Sequence, residues 1–299
     1  MLKFASAMTS NILRGKELSD SILQNLKLQI QQLQSTGLHS PPGLAYILVG
    51  SKIDSTTYIK LKRRACDNLG IQVFGYEYEE SVAQQELIDC IKRLNTDPSV
   101  HGVIVQLPLP PHIHEANIIN TLTPEKDVDG LTSSNFGDLV MRYRNPLFYP
   151  CTPIGCIELL KHYSVGIAGK HAVVVGRSDL AGIPLAALFN KANATTTICH
   201  SYTRDLHKFT QSADILAVAA GQPGLIKQSM VKPECIILDI GINSLEVEGN
   251  RVLVGDCDFE GLKEVVSGIT PVPNGVGPMT IAMLLKNVVT SWKSTITNS

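Results

Sequence analysis

The chain of 299 residues has no apolar run approaching the roughly 20 residues that span a bilayer, so no transmembrane helix is expected. Its N-terminal stretch, MLKFASAMTSNILRG, lacks the long apolar core of a signal peptide. A soluble, cytoplasmic protein is expected. The first 16 residues carry only basic charges among serines and threonines, which leaves a short mitochondrial presequence as the lesser alternative. Charge of one sign is also lacking: the formal net charge is −1, so there is no basic field for nucleic acid or membrane. The seven cysteines form no C-x-x-C pair, which argues against a disulfide framework or a zinc ribbon and fits a reducing compartment. His112 and His114 stand in a proline-rich loop without a cysteine or third histidine nearby, so no metal site is expected there. Low-complexity segments and short-period repeats are absent. What remains is an ordinary globular composition, 44% hydrophobic and 18% charged, long enough for two domains.

The most informative stretch is HAVVVGRSDLAGIP, His171 to Pro184. The apolar run Ala172 to Val175 reads as a strand buried on both faces. Gly176 permits a tight turn, and Gly182 lets the following helix pack close to the sheet with its N-terminal amides towards a pyrophosphate. The spacing is G-x-S-x-x-x-G, not G-x-G-x-x-G, so the motif alone does not decide between nucleotide binding and plain βα packing. The next strand, Thr195 to Cys199, ends in His200, Ser201 and Tyr202, with no carboxylate where an NAD site places one for the ribose. Arg177 and Ser201 instead supply a cation and a hydroxyl suited to a 2′-phosphate, so NADP is preferred to NAD. The competing reading is that Arg177 is a solvated loop residue.

Along the chain, Leu18, Ile22, Leu26, Ile30 and Leu33 mark an amphipathic helix over 18–33. A strand follows over Leu44 to Val49, then a helix on which Tyr58 and Lys62, four residues apart, share a face with Ser55 close by. That pairing is common on solvated helices and is not diagnostic by itself. A further βαβ unit runs from Gln72 through a helix over Gln84 to Asn95 into the strand GVIVQ. The strand ends in Gln106, where open α/β sheets meet their ligands. A helix around Glu115 to Leu122 leads to the turn-rich segment Glu125 to Gly130, where one acidic side chain could accept hydrogen bonds from a heterocycle. A domain boundary is expected near residue 150, with Thr152 as N-cap and Pro153 as first helical residue of a helix through His162. Strands at Ile215 to Ala219 and Ile236 to Ile240 complete a second α/β unit. A final apolar helix, about 278–299, is expected to return to the first domain.

The segments Ser55-x-x-Tyr58-x-x-x-Lys62, GVIVQLPLP, PEKDVDG, PCTP, VVVGRS and TPVPNGVGPMT occur in one order over nearly the whole chain. Together they resemble the bifunctional methylenetetrahydrofolate dehydrogenase/methenyltetrahydrofolate cyclohydrolase enzymes of the FolD-like type. The resemblance implies two α/β domains with a cleft between them, residues 1–150 binding folate and 151–277 a Rossmann-type parallel sheet binding NADP. It implies Lys62 as catalytic lysine, Gln106 as its partner, Tyr58 stacking on the aminobenzoate, and Asp129 holding the pterin. Ser55, Pro271 and Gly275 would join the folate site. Gly176, Arg177, Ser178, Ser201, Gly221 and Ile242 would contact NADP. Tetrahydrofolate derivatives are the implied partners, together with a second copy in a homodimer packed through the nucleotide domain.

The chemistry fits these residue types. Hydride leaves the methylene bridge of 5,10-methylenetetrahydrofolate for the nicotinamide, where positioning can supply most of the catalysis. Hydrolysis of the resulting methenyl cation to 10-formyltetrahydrofolate needs proton transfers, which suit a lysine whose pKa is lowered. A neutral glutamine hydrogen-bonds that lysine without adding a charge that would oppose the lowering. Two departures stand out: Asn274 replaces a glycine of the family pattern, and Ala181 replaces a valine. Asn is the side chain best able to take over a positive φ, so the turn should survive. A monofunctional dehydrogenase and a non-catalytic folate- or nucleotide-binding module are the alternative readings.

Overall fold

The computed structural model describes residues 11–297 apart from 36, 38, 39 and 248. Two compact units result: Asp20–Cys151 with 281–297, and 11–19 with Thr152–Thr280. Residues 1–10, the first part of the 16-residue stretch that leaves a mitochondrial presequence as the lesser alternative, lie outside the described residues.

The first unit carries most of α1 (Lys16–Gln34), then β1 (Gly43–Val49), α2 (Ile53–Leu69), β2 (Gln72–Tyr78), α3 (Gln84–Thr96), β3 (Gly102–Val105), α4 (Glu115–Ile119) and α5 (Ser133–Val140). Its sheet has the order β2-β1-β3, all parallel. Every residue of the central strand β1 and of β3 is buried, as continuous apolar runs covered on both faces must be. On α3, Leu87, Cys90, Ile91 and Leu94 form the inward stripe, packed with Ile47, Val103 and Ile118. Strand polarity brings Gly50 and Gln106 to the same carboxyl edge, and the Gln106 amide donates to the Ile47 carbonyl at 2.9 Å.

The second unit contains α6 (Cys151–His162), β4 (His171–Val175), α7 (Gly182–Lys191), β5 (Thr195–Cys199), α8 (Leu206–Thr210), β6 (Ile215–Val218), β7 (Ile236–Asp239), β8 (Asn243–Val247), β9 (Asn250–Val254), α9 (Phe259–Leu262) and β10 (Gly268–Ile269). Five strands form a parallel sheet in the order β10-β7-β6-β4-β5, a Rossmann-type arrangement with buried β4 and β6 in the middle. Strands β8 and β9 pair antiparallel as a separate hairpin.

Two local readings need correcting. Thr152 is not an N-cap: α6 already includes Cys151, and the Thr152 hydroxyl pairs with that of Thr280 at 2.9 Å. Residues 11–19 group with the nucleotide sheet and not with the first domain. They extend its β10 edge, with Leu13 N–H donating to the Ile269 carbonyl and Ile269 N–H to that of Asn11, both at 2.8 Å. Leu13 is fully buried there and anchors the segment to the nucleotide sheet.

The last helix, α10 (Val276–Thr297), belongs to the first unit from Ile281 on. Trp292 is buried and donates its indole N–H to the Ser40 carbonyl at 3.0 Å, and the Asn287 amide donates to the Val128 and Tyr149 carbonyls at 2.8 and 3.2 Å.

Candidate functional site

In the first unit the candidate residues converge on the carboxyl edge of the sheet. On α2, Ser55, Ile59, Cys66 and Leu69 are buried, and Lys62 falls on the same helical stripe. The helix therefore carries the lysine amino group along its inward face, half-buried, with half-buried Tyr58 one turn earlier. Lys62 Nζ donates to Gln106 Oε1 at 3.3 Å. The Gln106 amide nitrogen donates to the Leu107 carbonyl at 3.0 Å, which turns the side-chain oxygen towards the lysine.

Three acidic residues were open for the ligand-binding role in the segment Glu125 to Gly130, and their surroundings separate them. Asp127 is buried and already accepts from the Leu131 and Thr132 amides and Asn135 Nδ2 at 3.0, 2.7 and 2.8 Å. Burial pushes its carboxyl above the usual range even so. It is a structural residue that fixes the turn, and Glu125 is exposed. Asp129 is half-buried, and its carboxylate meets the Cys151 thiol at 3.6 Å. Burial, then the Asp129 charge, push that thiol well up, while the Lys62 charge acts in the opposite direction. Lys62 and Asp129 are thus electrostatic neighbours of one buried sulfur. Cys151 and Asn287 are site-shaping residues that sequence patterning did not single out. The turn itself needs Gly130, at φ +71°, where a Cβ would meet the Phe148 carbonyl oxygen at 2.7 Å.

In the second unit, Gly176 sits at φ +123°, and a Cβ there would lie 2.2 Å from the Ala219 carbonyl oxygen. A Cβ on Gly182 would lie 2.4 Å from the Gly176 carbonyl oxygen, so the helix start and the glycine turn are in direct backbone contact. A pocket of about 400 Å³ opens at this edge, lined by Val175, Gly176, Arg177, His200, Ser201, Thr203, Leu206, Ala219, Ala220, Gln222 and Leu225. No acidic side chain lines it. Arg177 lies over the Tyr202 ring at 5.7 Å, a cation–π contact that holds the guanidinium at the rim. Of the residues read as cofactor contacts, Gly176, Arg177 and Ser201 line the pocket, whereas Ser178, Gly221 and Ile242 are exposed outside that lining. The unread liners are mostly small or apolar and carry no motif.

Asn274 adopts φ +77°, as its replacement of a glycine requires, and its carbonyl accepts from the Gly15 and Lys16 amides at 2.9 and 3.2 Å. Gly275 is packed so closely that a Cβ would meet the Pro271 carbonyl oxygen at 2.4 Å. Pro271 and Gly275 belong to the second unit, Lys62 and Asp129 to the first. Among the described residues no group of three or more His, Cys, Asp or Glu could hold a metal, and no helix is long and apolar enough to cross a membrane. His112 is engaged with the Val82 carbonyl at 3.0 Å.

A Rossmann-type sheet with a glycine turn and a cation at its carboxyl edge, in one chain with a second α/β unit bearing a lysine, defines a dinucleotide-linked enzyme of two domains. Residues 13–129 match the catalytic domain, and 150–296 the NAD(P)-binding domain, of tetrahydrofolate dehydrogenase/cyclohydrolase, and the chain belongs to that family. The bifunctional protein FolD of Acetivibrio thermocellus is 47% identical over 286 residues, 96% of this chain and 98% of the relative. The crystal structure of the bifunctional FolD enzyme from Campylobacter jejuni is 45% identical, with a TM-score of 0.90 over 95% of this chain and 99% of that one. The Trypanosoma brucei enzyme, crystallised with NADP cofactor and an inhibitor, is 38% identical with a TM-score of 0.93 over 97% and 99% of the two chains.

Proposed function

We propose that Lys62 is the general acid/base of this chain's cyclohydrolase step, with Gln106 as its positioning partner. The activity is that of the family: NADP-dependent oxidation of 5,10-methylenetetrahydrofolate to the methenyl compound, and hydrolysis of the latter to 10-formyltetrahydrofolate. The observation that carries the assignment is the Lys62 Nζ to Gln106 Oε1 hydrogen bond of 3.3 Å at the sheet's carboxyl edge. With Lys62 as the free amine, its Nζ can take the proton of the water whose oxygen adds to the methenyl carbon. It can return a proton to the ring nitrogen as the carbon–nitrogen bond opens. Asp129, the half-buried carboxylate of its turn, accepts pterin N–H donors in this reading, while Tyr58 supplies a ring face for the aminobenzoate. Ser55, buried on α2 of the same unit, joins these folate contacts in this reading.

The pocket of the second unit suits the dinucleotide: the Gly176–Gly182 approach leaves backbone where a phosphate can come close, Arg177 supplies a cation, and no lining carboxylate repels a 2′-phosphate. When bound, NADP accepts the hydride from the methylene carbon. Arg177 and Ser201 would hold the 2′-phosphate, with Gly176, Ser178, Gly221 and Ile242 along the rest of the dinucleotide. Assays with NADP and NAD in parallel test this. Wild type should prefer NADP, and Arg177→Ala should raise KM for NADP roughly 10- to 100-fold, the range for losing a charged hydrogen bond, while hardly changing KM for NAD. Equal KM values for both cofactors in wild type would overturn the Arg177 assignment.

The reading extends to a cytoplasmic homodimer. Seven free, buried thiols support a reducing compartment, which cell fractionation tests. The exposed Leu245, Val252 and Leu253 on the β8–β9 hairpin support self-association through the nucleotide unit.

A further inference from the structure

The nucleotide unit holds two buried carboxylates for which the reading above has no use. Asp256, fully buried in the segment after β9, collects four donors. Its Oδ2 accepts from the Ala220 and Gly221 amides at 2.6 and 3.0 Å, and its Oδ1 from the Gln222 amide and Asn243 Nδ2, both at 2.8 Å. Asp239, at the end of β7, holds the Asp256 backbone in turn: it accepts from the Asp256 and Cys257 amides at 2.9 and 3.0 Å. Burial, and to a lesser degree the Asp256 charge, push the Asp239 carboxyl up to about 7, so the pair is not obliged to hold two full charges side by side. Glycines make room for both. A Cβ on Gly241 would lie 2.2 Å from the Asp256 carboxyl carbon, and one on Gly255 1.9 Å from Asp239 Oδ2.

The three amides gathered by Asp256 are consecutive and belong to the loop after β6. Ala219, Ala220 and Gln222 of that loop line the pocket at the sheet edge. The loop also touches the glycine turn, since the Ala219 carbonyl oxygen occupies the space a Gly176 Cβ would need. A short surface loop with three successive N–H groups turned inward onto one carboxylate is held in one conformation. Its outward face is then fixed as a wall of the pocket.

We propose that Asp256 is a positioning residue for the dinucleotide site, setting the 219–222 wall against which NADP binds. The proposal rests on NADP occupying that pocket. Asp256 touches no reacting atom; it acts through the loop.

The test is Asp256→Asn, which keeps the shape but places an N–H₂ against at least one backbone donor. KM and Kd for NADP should rise roughly ten-fold or more, because a buried donor loses its acceptor. Hydrolysis of methenyltetrahydrofolate, assayed without NADP on the same preparation, should stay within two-fold of wild type, because Lys62 and Gln106 belong to the other unit. A purely structural role would lower both activities together. Asp256→Glu, which restores the charge but not the geometry, should not recover NADP affinity. If Asp256→Asn does not fold, Asn243→Ala removes one anchor of the carboxylate and should still raise KM for NADP with hydrolysis unchanged. Unchanged KM and Kd in the variant that folds, or parallel loss of both activities, would overturn the proposal. Failure of wild type to use NADP would instead overturn the reading on which it rests.

Discussion

Lys62 shows how a residue's role depends on what its helix buries. Tyr-x-x-x-Lys on a helix is ordinarily solvated, and only the buried companions Ser55, Ile59 and Cys66 on the same stripe carry the lysine amino group inward to Gln106. That stripe was legible as spacing, and Gln106 as a strand end facing ligand; that the two meet was implied only by the family resemblance, because the pairing depends on how α2 packs against the end of β3. Asp127 shows the converse: its sequence neighbourhood matches that of Asp129, yet three internal donors and burial make it structural. His101 was not legible as special at all. It is 4% exposed, its Nδ1 accepts the Gly43 amide at 2.9 Å, and burial, then the Lys126 charge, bring its pKa down to about 4. A depressed imidazole binds its proton more readily in the unfolded chain. Its contribution is therefore present above about pH 6.5 and lost as pH falls through about 4. Urea unfolding should show wild type losing roughly 2 kcal/mol more than His101→Asn between pH 7 and pH 5, since each pKa unit is worth about 1.4 kcal/mol. Identical pH slopes for the two proteins would contradict the assignment.

At the scale of elements, the parallel strands were readable because buried strands are nearly pure apolar runs, and β1, β3, β4 and β6 fall where those runs fall. The α5 helix and the β8–β9 hairpin were not. Ser133–Val140 is too short to establish a period, and Asn243–Val247 and Asn250–Val254 make a mostly exposed hairpin whose few apolar residues do not alternate regularly. The membership of residues 11–19 was hidden for another reason: pairing with β10 is a contact across more than 250 residues of chain. Glycine turns were the reverse case, since the spacing Gly176 to Gly182 carries its own steric demand. A methyl group on Gly182 has only backbone to push against, at 2.4 Å from the Gly176 carbonyl oxygen. Gly182→Ala should lose about 1–3 kcal/mol of stability, the range for overpacking, and weaken NADP binding, whereas Gly137→Ala should do neither because nothing lies within 4 Å of its Cβ position. Thermal unfolding with and without NADP checks both. A Gly182→Ala protein as stable as wild type would show that α7 can slide away from the turn.

For the whole molecule, the resemblance spread over six motifs in order is more specific than any fold-level argument, because a Rossmann-type sheet alone serves many chemistries. The nucleotide sheet and the lysine-bearing sheet are separate compact units, each with its own buried core. Self-association is a property at the same scale: sedimentation equilibrium should give twice the 32.4 kDa chain mass, and monomer throughout would remove the dimer. The division of labour between the units is the central claim, and Lys62→Met tests it most directly. Methylenetetrahydrofolate and NADP would be supplied to wild type and variant, with methenyl and formyl products followed separately, and NADP affinity measured on both. The expected result is loss of formyl production in the variant with NADP affinity unchanged. Hydrolysis of the methenyl compound at the wild-type rate would contradict the assignment of Lys62 as the acid/base.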